Sequence, residues 1–156
     1  MFKRLAFVSL VCMVLSACSS IDVYERNTAI SKQQWFHSQK LSFSFVIPDT
    51  VSLYNIFIVV RHTDAYKYNN LWLKLDMQFP QDTLRSQKLD IGLGTDAEGW
   101  EGRGMDDIFE YRKIITPGPI QLPKAGKYTF TLSQIMREDP LEHIMNVGVR
   151  VEKVKR

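Results

Sequence analysis

No cysteine occurs after residue 18; the only two, Cys12 and Cys18, lie near the start of the chain. A domain built from the remainder has no disulfide, no thiol nucleophile and no cysteine-held metal to rely on. Histidine is nearly as scarce. His37, His62 and His143 are 25 and 81 residues apart, and none forms a His-x-His or His-x-x-x-His pair, so the spacing offers no zinc site. Nor is there a strong charge of either sign. Without the first 17 residues, 18 lysines and arginines face 17 acids, and Lys153, Lys155 and Arg156 are too few to make a nucleic-acid footprint. The pattern Gly-x-Ser-x-Gly, which would hold a serine in an exposed strained turn, is missing as well.

What is present begins with Lys3 and Arg4, followed by Leu5 to Leu15, eleven residues in which Ser9 is the only polar side chain. Such a run rises about 16 Å as a helix, roughly half of a hydrocarbon core, so it has the layout of an export signal and not of a permanent span. Leu15-Ser16-Ala17-Cys18 then supplies small residues for a processing enzyme and a thiol able to take a diacylglyceryl group. This is a lipobox, and it makes Cys18 the expected lipid attachment site. The expected organisation is a signal peptide over 1–17, a lipidated N-terminus, tether and lead-in over 18–39, and one domain over 40–156. The 139 residues left after cleavage suffice to bury about two-thirds of their unfolded surface without staples.

Period-two alternation dominates that domain. Leu41, Phe43, Phe45 and Ile47 alternate with Ser42, Ser44 and Val46; Leu71, Leu73, Leu75, Met77 and Phe79 alternate with Lys74, Asp76 and Gln78. Val51 to His62 is more continuously apolar and suits a central strand covered on both faces. Shorter alternations run through Leu89, Ile91 and Leu93, through Ile108 to Ile115, through Tyr128, Phe130 and Leu132, and through Val147, Val149 and Val151. Ile21, Val23 and Tyr24 add a short first strand or edge segment. Leu73, Leu75, Phe130 and Val149 are expected to face one core. Asp139-Pro140 pairs a capping side chain with a first-turn proline, which predicts one helical turn over Leu141 to Met145. Seven or eight strands without crossover helices predict an all-β domain, a single antiparallel β-sandwich or jelly roll.

Two segments hold chemistry worth weighing. Asp96, Glu98, Glu101, Asp106 and Asp107 place five carboxylates within twelve residues, but their spacing departs from a calcium loop. The reading preferred is a tight glycine-containing loop with solvated acids, no metal and no cofactor. Arg61, Tyr66, Tyr68, Asn69, Asn70 and Trp72 gather aromatic, amide and guanidinium groups around one connection, a composition that favours binding. The alternative is that Tyr68 and Trp72 finish the core while Arg61 pairs with an acid. If the Tyr66–Asn70 connection and the Gly99–Gly104 loop share one end of the sandwich, Arg61, Tyr66, Tyr68, Asn70, Trp100 and Arg137 form a candidate binding surface; otherwise Trp72 and Trp100 are core residues at opposite ends.

Four segments taken together resemble the gliding-motility-associated lipoprotein family GldH of the Bacteroidota. They are Arg61-His62 with Tyr66, Tyr68 and Asn70-Leu71-Trp72-Leu73; Gly99-Trp100 with Gly102 and Gly104; Gly126 with Tyr128, Phe130, Gln134, Met136-Arg137 and Leu141; and Val147-Gly148-Val149-Arg150. The resemblance runs from about residue 24 to 152. It implies a non-enzymatic accessory or assembly component of the gliding and type IX secretion machinery. The implied partners are the membrane, through the lipid on Cys18, and other gliding or secretion lipoproteins. It implies no reaction and no catalytic residues. The competing expectation, from the tyrosine and tryptophan cluster, is a glycan-binding envelope lipoprotein. The expected location is the cell envelope, with the outer membrane favoured over the inner; Ser19 is not the aspartate associated in some bacteria with inner-membrane retention, but sorting rules differ among phyla and it does not decide the membrane.

Overall fold

The computed structural model describes residues 21–154. Its eight long strands are β1 (Ile21–Ala29), β2 (Leu41–Ile47), β3 (Leu53–Thr63), β4 (Asn70–Gln78), β5 (Arg85–Gly92), β6 (Ile108–Ile114), β7 (Gly126–Gln134) and β8 (Ile144–Lys153). Their alternating side chains explain why they pair. In β2 the burial pattern follows the sequence residue by residue, with Leu41, Phe43, Phe45 and Ile47 buried and the intervening Ser42, Ser44 and Val46 exposed. A sheet made of such strands has one dry face and must lay it on another.

All pairings among these strands are antiparallel. One sheet has the order β1-β8-β3-β6, with Arg103–Met105 added outside β6 and Ile120–Gln121 paired to the start of β3. The other has the order β2-β7-β4-β5. Consecutive strands pass from one sheet to the other at every step but β4 to β5, which gives the jelly-roll topology. The two dry faces meet in one core that holds Leu73, Leu75, Phe130 and Val149, as expected. Phe45 links its aromatic part, stacked on Tyr128 at 5.7 Å and edge-on to Phe130 at 5.2 Å.

The strand β3 occupies the interior of its sheet, but only its inward face is uniformly buried. Over its outer face lies a lattice of ion pairs: Arg61 and Arg112 on Glu110, Arg112 and Arg150 on Glu25, and Arg150 on Glu152. The aliphatic stems of these arginines provide the cover that a second layer of structure was expected to give.

The first strand is longer than the short edge segment expected around Ile21, Val23 and Tyr24: β1 runs nine residues along β8, and beyond it Trp35 is completely buried with its indole N–H donating to the Gln39 carbonyl at 2.9 Å. One expectation is corrected. The helical turn over Leu141 to Met145 does not form. Leu141–Glu142 instead pairs with Gln34–Trp35, and the Asp139 carboxylate accepts the His37 backbone N–H at 2.8 Å where it would have capped a helix. Burying Leu141 beside Trp35 outweighs the weak local helical signal.

The topology sorts the connections by length. The end where β1 begins, termed the base, carries the turns 48–52 and 79–84 and the segment 115–125; the opposite end, the crown, carries the longer connections 30–40, 64–69, 93–107 and 135–143.

Candidate functional site

Every residue of the candidate surface within the described chain lies at the crown or on the strand ends that lead into it; Cys18 lies outside the described residues. The 64–69 and 93–107 connections touch. The Asn69 amide donates to Asp96 at 2.8 Å, and the Asn69 carbonyl accepts the Leu93 N–H at 2.7 Å. A tight hairpin, Gly94–Thr95 against Gly99–Trp100, then folds back over the top. Only glycine fits at its base, since a Cβ on Gly94 would lie 2.4 Å from the Gly99 carbonyl oxygen.

That hairpin lowers Trp100 onto the core, where it is half-buried. Its ring stands 4.5 Å from His62 and 6.2 Å from both Tyr66 and Phe109. Tyr66 is only 3% exposed, and its hydroxyl donates to the Asn70 carbonyl at 2.9 Å. Tyr66 is thus a core residue that fixes the start of β4, and a partner meeting this end would not touch it. Asn70 is half-buried and donates to Asp90 of the neighbouring strand at 2.7 Å.

Arg61 is spoken for by Glu110 at 2.6 Å. Partial burial opposes ionisation of Glu110, but the Arg61 and Arg112 guanidiniums hold its carboxyl below the usual carboxylate range. Arg61 points to the outer face of its sheet and borders a hollow of about 300 Å³ with Arg103, Met105 and Ile108. Tyr68 and Arg137 line a different groove of about 370 Å³, together with Trp72, Ile135 and Met136. The candidate residues therefore do not make one patch. They divide between two depressions on opposite faces, with Trp100 and Tyr66 packed between them.

Of the two places the sequence leaves open for Trp72, the core and a binding cluster, the structure excludes the core: the side chain is 40% exposed on the outer face of β4. The signal for this was available in the phase of the strand: Trp72 falls with Lys74, Asp76 and Gln78, not with Leu71, Leu73 and Leu75. The groove is held in shape by the backbone, since the Ile135 N–H donates to the Trp72 carbonyl at 3.0 Å and the Trp72 N–H points at the Met136 sulfur at 3.2 Å. At its rim the Tyr68 hydroxyl donates to the Glu138 carboxylate, which raises the tyrosine above its ordinary range. The arrangement offers an aromatic and aliphatic floor, a guanidinium and an oriented carboxylate. It offers no nucleophile beside a base, and among the described residues no three metal-ligating side chains converge.

His62 gives this end a pH dependence. Its ring is fully buried, with Nδ1 2.8 Å from the Thr63 carbonyl and Nε2 without a partner among the described residues. Burial holds its pKa below 6.5, against the smaller opposite effect of the Thr63 carbonyl. Because the folded pKa is below the unfolded one, the neutral ring contributes stability that is complete above pH 6.5 and is lost as pH falls from there toward the folded value. Thermal unfolding at pH 7.5 and 5.0 should therefore show the wild type losing more of its melting temperature than His62→Phe on acidification. Equal losses would mean the imidazole is not held neutral.

Among the described residues no helix is long and apolar enough to cross a membrane. The family model described as GldH lipoprotein matches residues 22–151. The gliding motility lipoprotein GldH homolog of Christiangramia forsetii is 28% identical over 148 residues, covering 90% of each chain. The gliding motility lipoprotein GldH of Flavobacterium johnsoniae is 24% identical over 158 residues, covering 97% of each chain. Among solved structures, TmCBM61 in complex with beta-1,4-galactotriose is similar at a TM-score of 0.39 and 10% identity, over 89% of this chain and 90% of that one. With the family match extending from the first residues of β1 to the last of β8, the chain belongs to the GldH lipoprotein family.

Proposed function

We propose that this lipoprotein is a non-enzymatic accessory of the gliding and type IX secretion machinery, anchored to the outer membrane by lipid on Cys18 once residues 1–17 are removed. It meets a protein partner through the crown, with Trp72, Tyr68 and Arg137 as the principal contacts and Trp100 and Asn70 as the residues that hold their surroundings in place. The observation that supports this most is the groove floored by Trp72, Ile135 and Met136. Large apolar side chains left half in water, ringed by a guanidinium and a carboxylate, match the composition of interface centres.

The test is detergent co-purification of the native protein from a gliding or secreting bearer. Recovery of other gliding or secretion lipoproteins with the wild type is expected, and a Trp72→Thr/Arg137→Ser variant should lose most of it with an unchanged melting temperature. Thr keeps the strand propensity at position 72, so folding is not the variable. Recovery of the wild type alone, together with tight binding to one envelope polysaccharide, would replace this reading by a glycan-binding one. That alternative draws on the same exposed tryptophan.

A further inference from the structure

The base of the sandwich exposes several apolar side chains. Val51 and Leu84, each in or beside a short base turn, are both 59% exposed, and Val46 at the lower end of β2 is 62% exposed. Around them stand Arg85, Lys124, Lys127 and Lys153, with Lys127 directly across the strand pair from Val46. The carboxylates of the base are already engaged. Asp49 accepts the Val51 and Ser52 N–H groups and the Ser52 hydroxyl and faces Lys153 at 3.5 Å; Asp82 accepts the Thr83 N–H and pairs with Arg85 at 3.0 Å. Five of the six prolines, Pro48, Pro80, Pro117, Pro119 and Pro123, also lie here. Proline has no N–H to lose from water, so a proline-rich turn is cheap to press against an apolar phase.

The crown is the more acidic end: its four connections hold nine carboxylates against five lysines and arginines, whereas around the base Arg85, Lys124, Lys127 and Lys153 stand against Asp49 and Asp82. An anionic surface attracts the one end and repels the other. The length of chain outside the sandwich decides which end meets it. Cys18 is three residues before Ile21, where β1 begins at the base, and three residues reach at most about 10 Å.

We propose that the base rests on the headgroup layer of an anionic bilayer, with Val51 and Leu84 at the boundary of the acyl region and the surrounding lysines and arginine on lipid phosphates. The inference rests on the lipid at Cys18, which supplies the nearness: a contact too weak to hold a free domain is favoured once the tether makes it intramolecular. Nine residues of β1 then raise the crown groove by about 30 Å, clear of the headgroups and open to a partner.

The absence of cysteine after Cys18 makes the test direct, because single-cysteine variants of the lipidated protein have one free thiol. Leu84→Cys and Met105→Cys, the latter at the crown and 76% exposed in the wild type, are labelled with a fluorophore and reconstituted in phosphatidylethanolamine/phosphatidylglycerol vesicles bearing a headgroup nitroxide. Quenching at position 84 should exceed that at 105 several-fold. Equal quenching, or stronger quenching at 105, overturns the proposal. In parallel, a Cys18→Ser chain is expected to leave native membranes in a high-salt wash. If it stays, the lipid anchor itself is wrong; if it leaves while position 84 is unquenched, the anchor stands and the resting face falls.

Discussion

Phe130→Ala is expected to destabilise the domain by about 3–5 kcal/mol and to lower its melting temperature by roughly 10–20 °C. Phe130 is 1% exposed in the middle of β7, bonded on one side to β2 and on the other to β4, with its ring edge-on to Phe45. Truncation removes the transfer free energy of a benzyl group and leaves a hole that two paired strands prevent the backbone from closing. Small residues at the neighbouring positions do not help, since the hydroxyls of Ser44 and Thr129 bond at 2.8 Å on the opposite face of the sheet. Chemical denaturation with matched m-values would give the cost directly, and an unchanged midpoint would mean that the ring is not in the core.

Gly148→Val should cost about 1–3 kcal/mol by forcing β1 away from β8. Gly148 is buried opposite Asn27, and a Cβ there would lie 1.8 Å from the Asn27 side-chain oxygen and 2.5 Å from the Arg26 carbonyl. The side chain of Asn27 can swing aside, but the Arg26 carbonyl belongs to the β1 backbone and cannot move without the strand. Hydrogen exchange distinguishes this local effect from general loss of stability: the amides of β1 should lose protection well before those of β7. Uniform loss across both strands would show that the glycine serves the whole sheet and not one edge.

These two sites illustrate what a sequence discloses. Phe130 was legible because period-two alternation is imposed by the pleat and survives any strand order. Gly148 was visible only as part of a familiar string of residues, since its reason lies across the sheet in a strand 121 positions away. The same contrast holds at the crown. The contact between the 64–69 and 93–107 connections is one of the two arrangements the sequence leaves open, since sandwiches gather their loops at two ends. The division of Arg61 and Arg137 between opposite faces was not foreseen, because it depends on which sheet each strand joins. Tyr66 misled for a simpler reason. Tyrosine is common both in binding surfaces and in cores, and a hydroxyl satisfied by the Asn70 carbonyl removes the cost of burying it. Trp35 went unnoticed because it sits alone in a polar stretch, with no alternation around it to give its phase.

The place of β1 in its sheet bears on how the chain matures. Its strand neighbour is β8, the last to be synthesised, and β8 in turn lies between β1 and β3. The first strand to leave the ribosome therefore has no seat until the final one has been made and delivered. Strand pairing across nearly the full length of the chain is slow, because the closure of a long loop must precede any gain from contact. During that delay the N-terminal segment remains unpaired and accessible. With Cys18 as the proposed lipid site, processing beside it benefits from having the adjoining strand fold last, and the jelly roll builds that order into its topology.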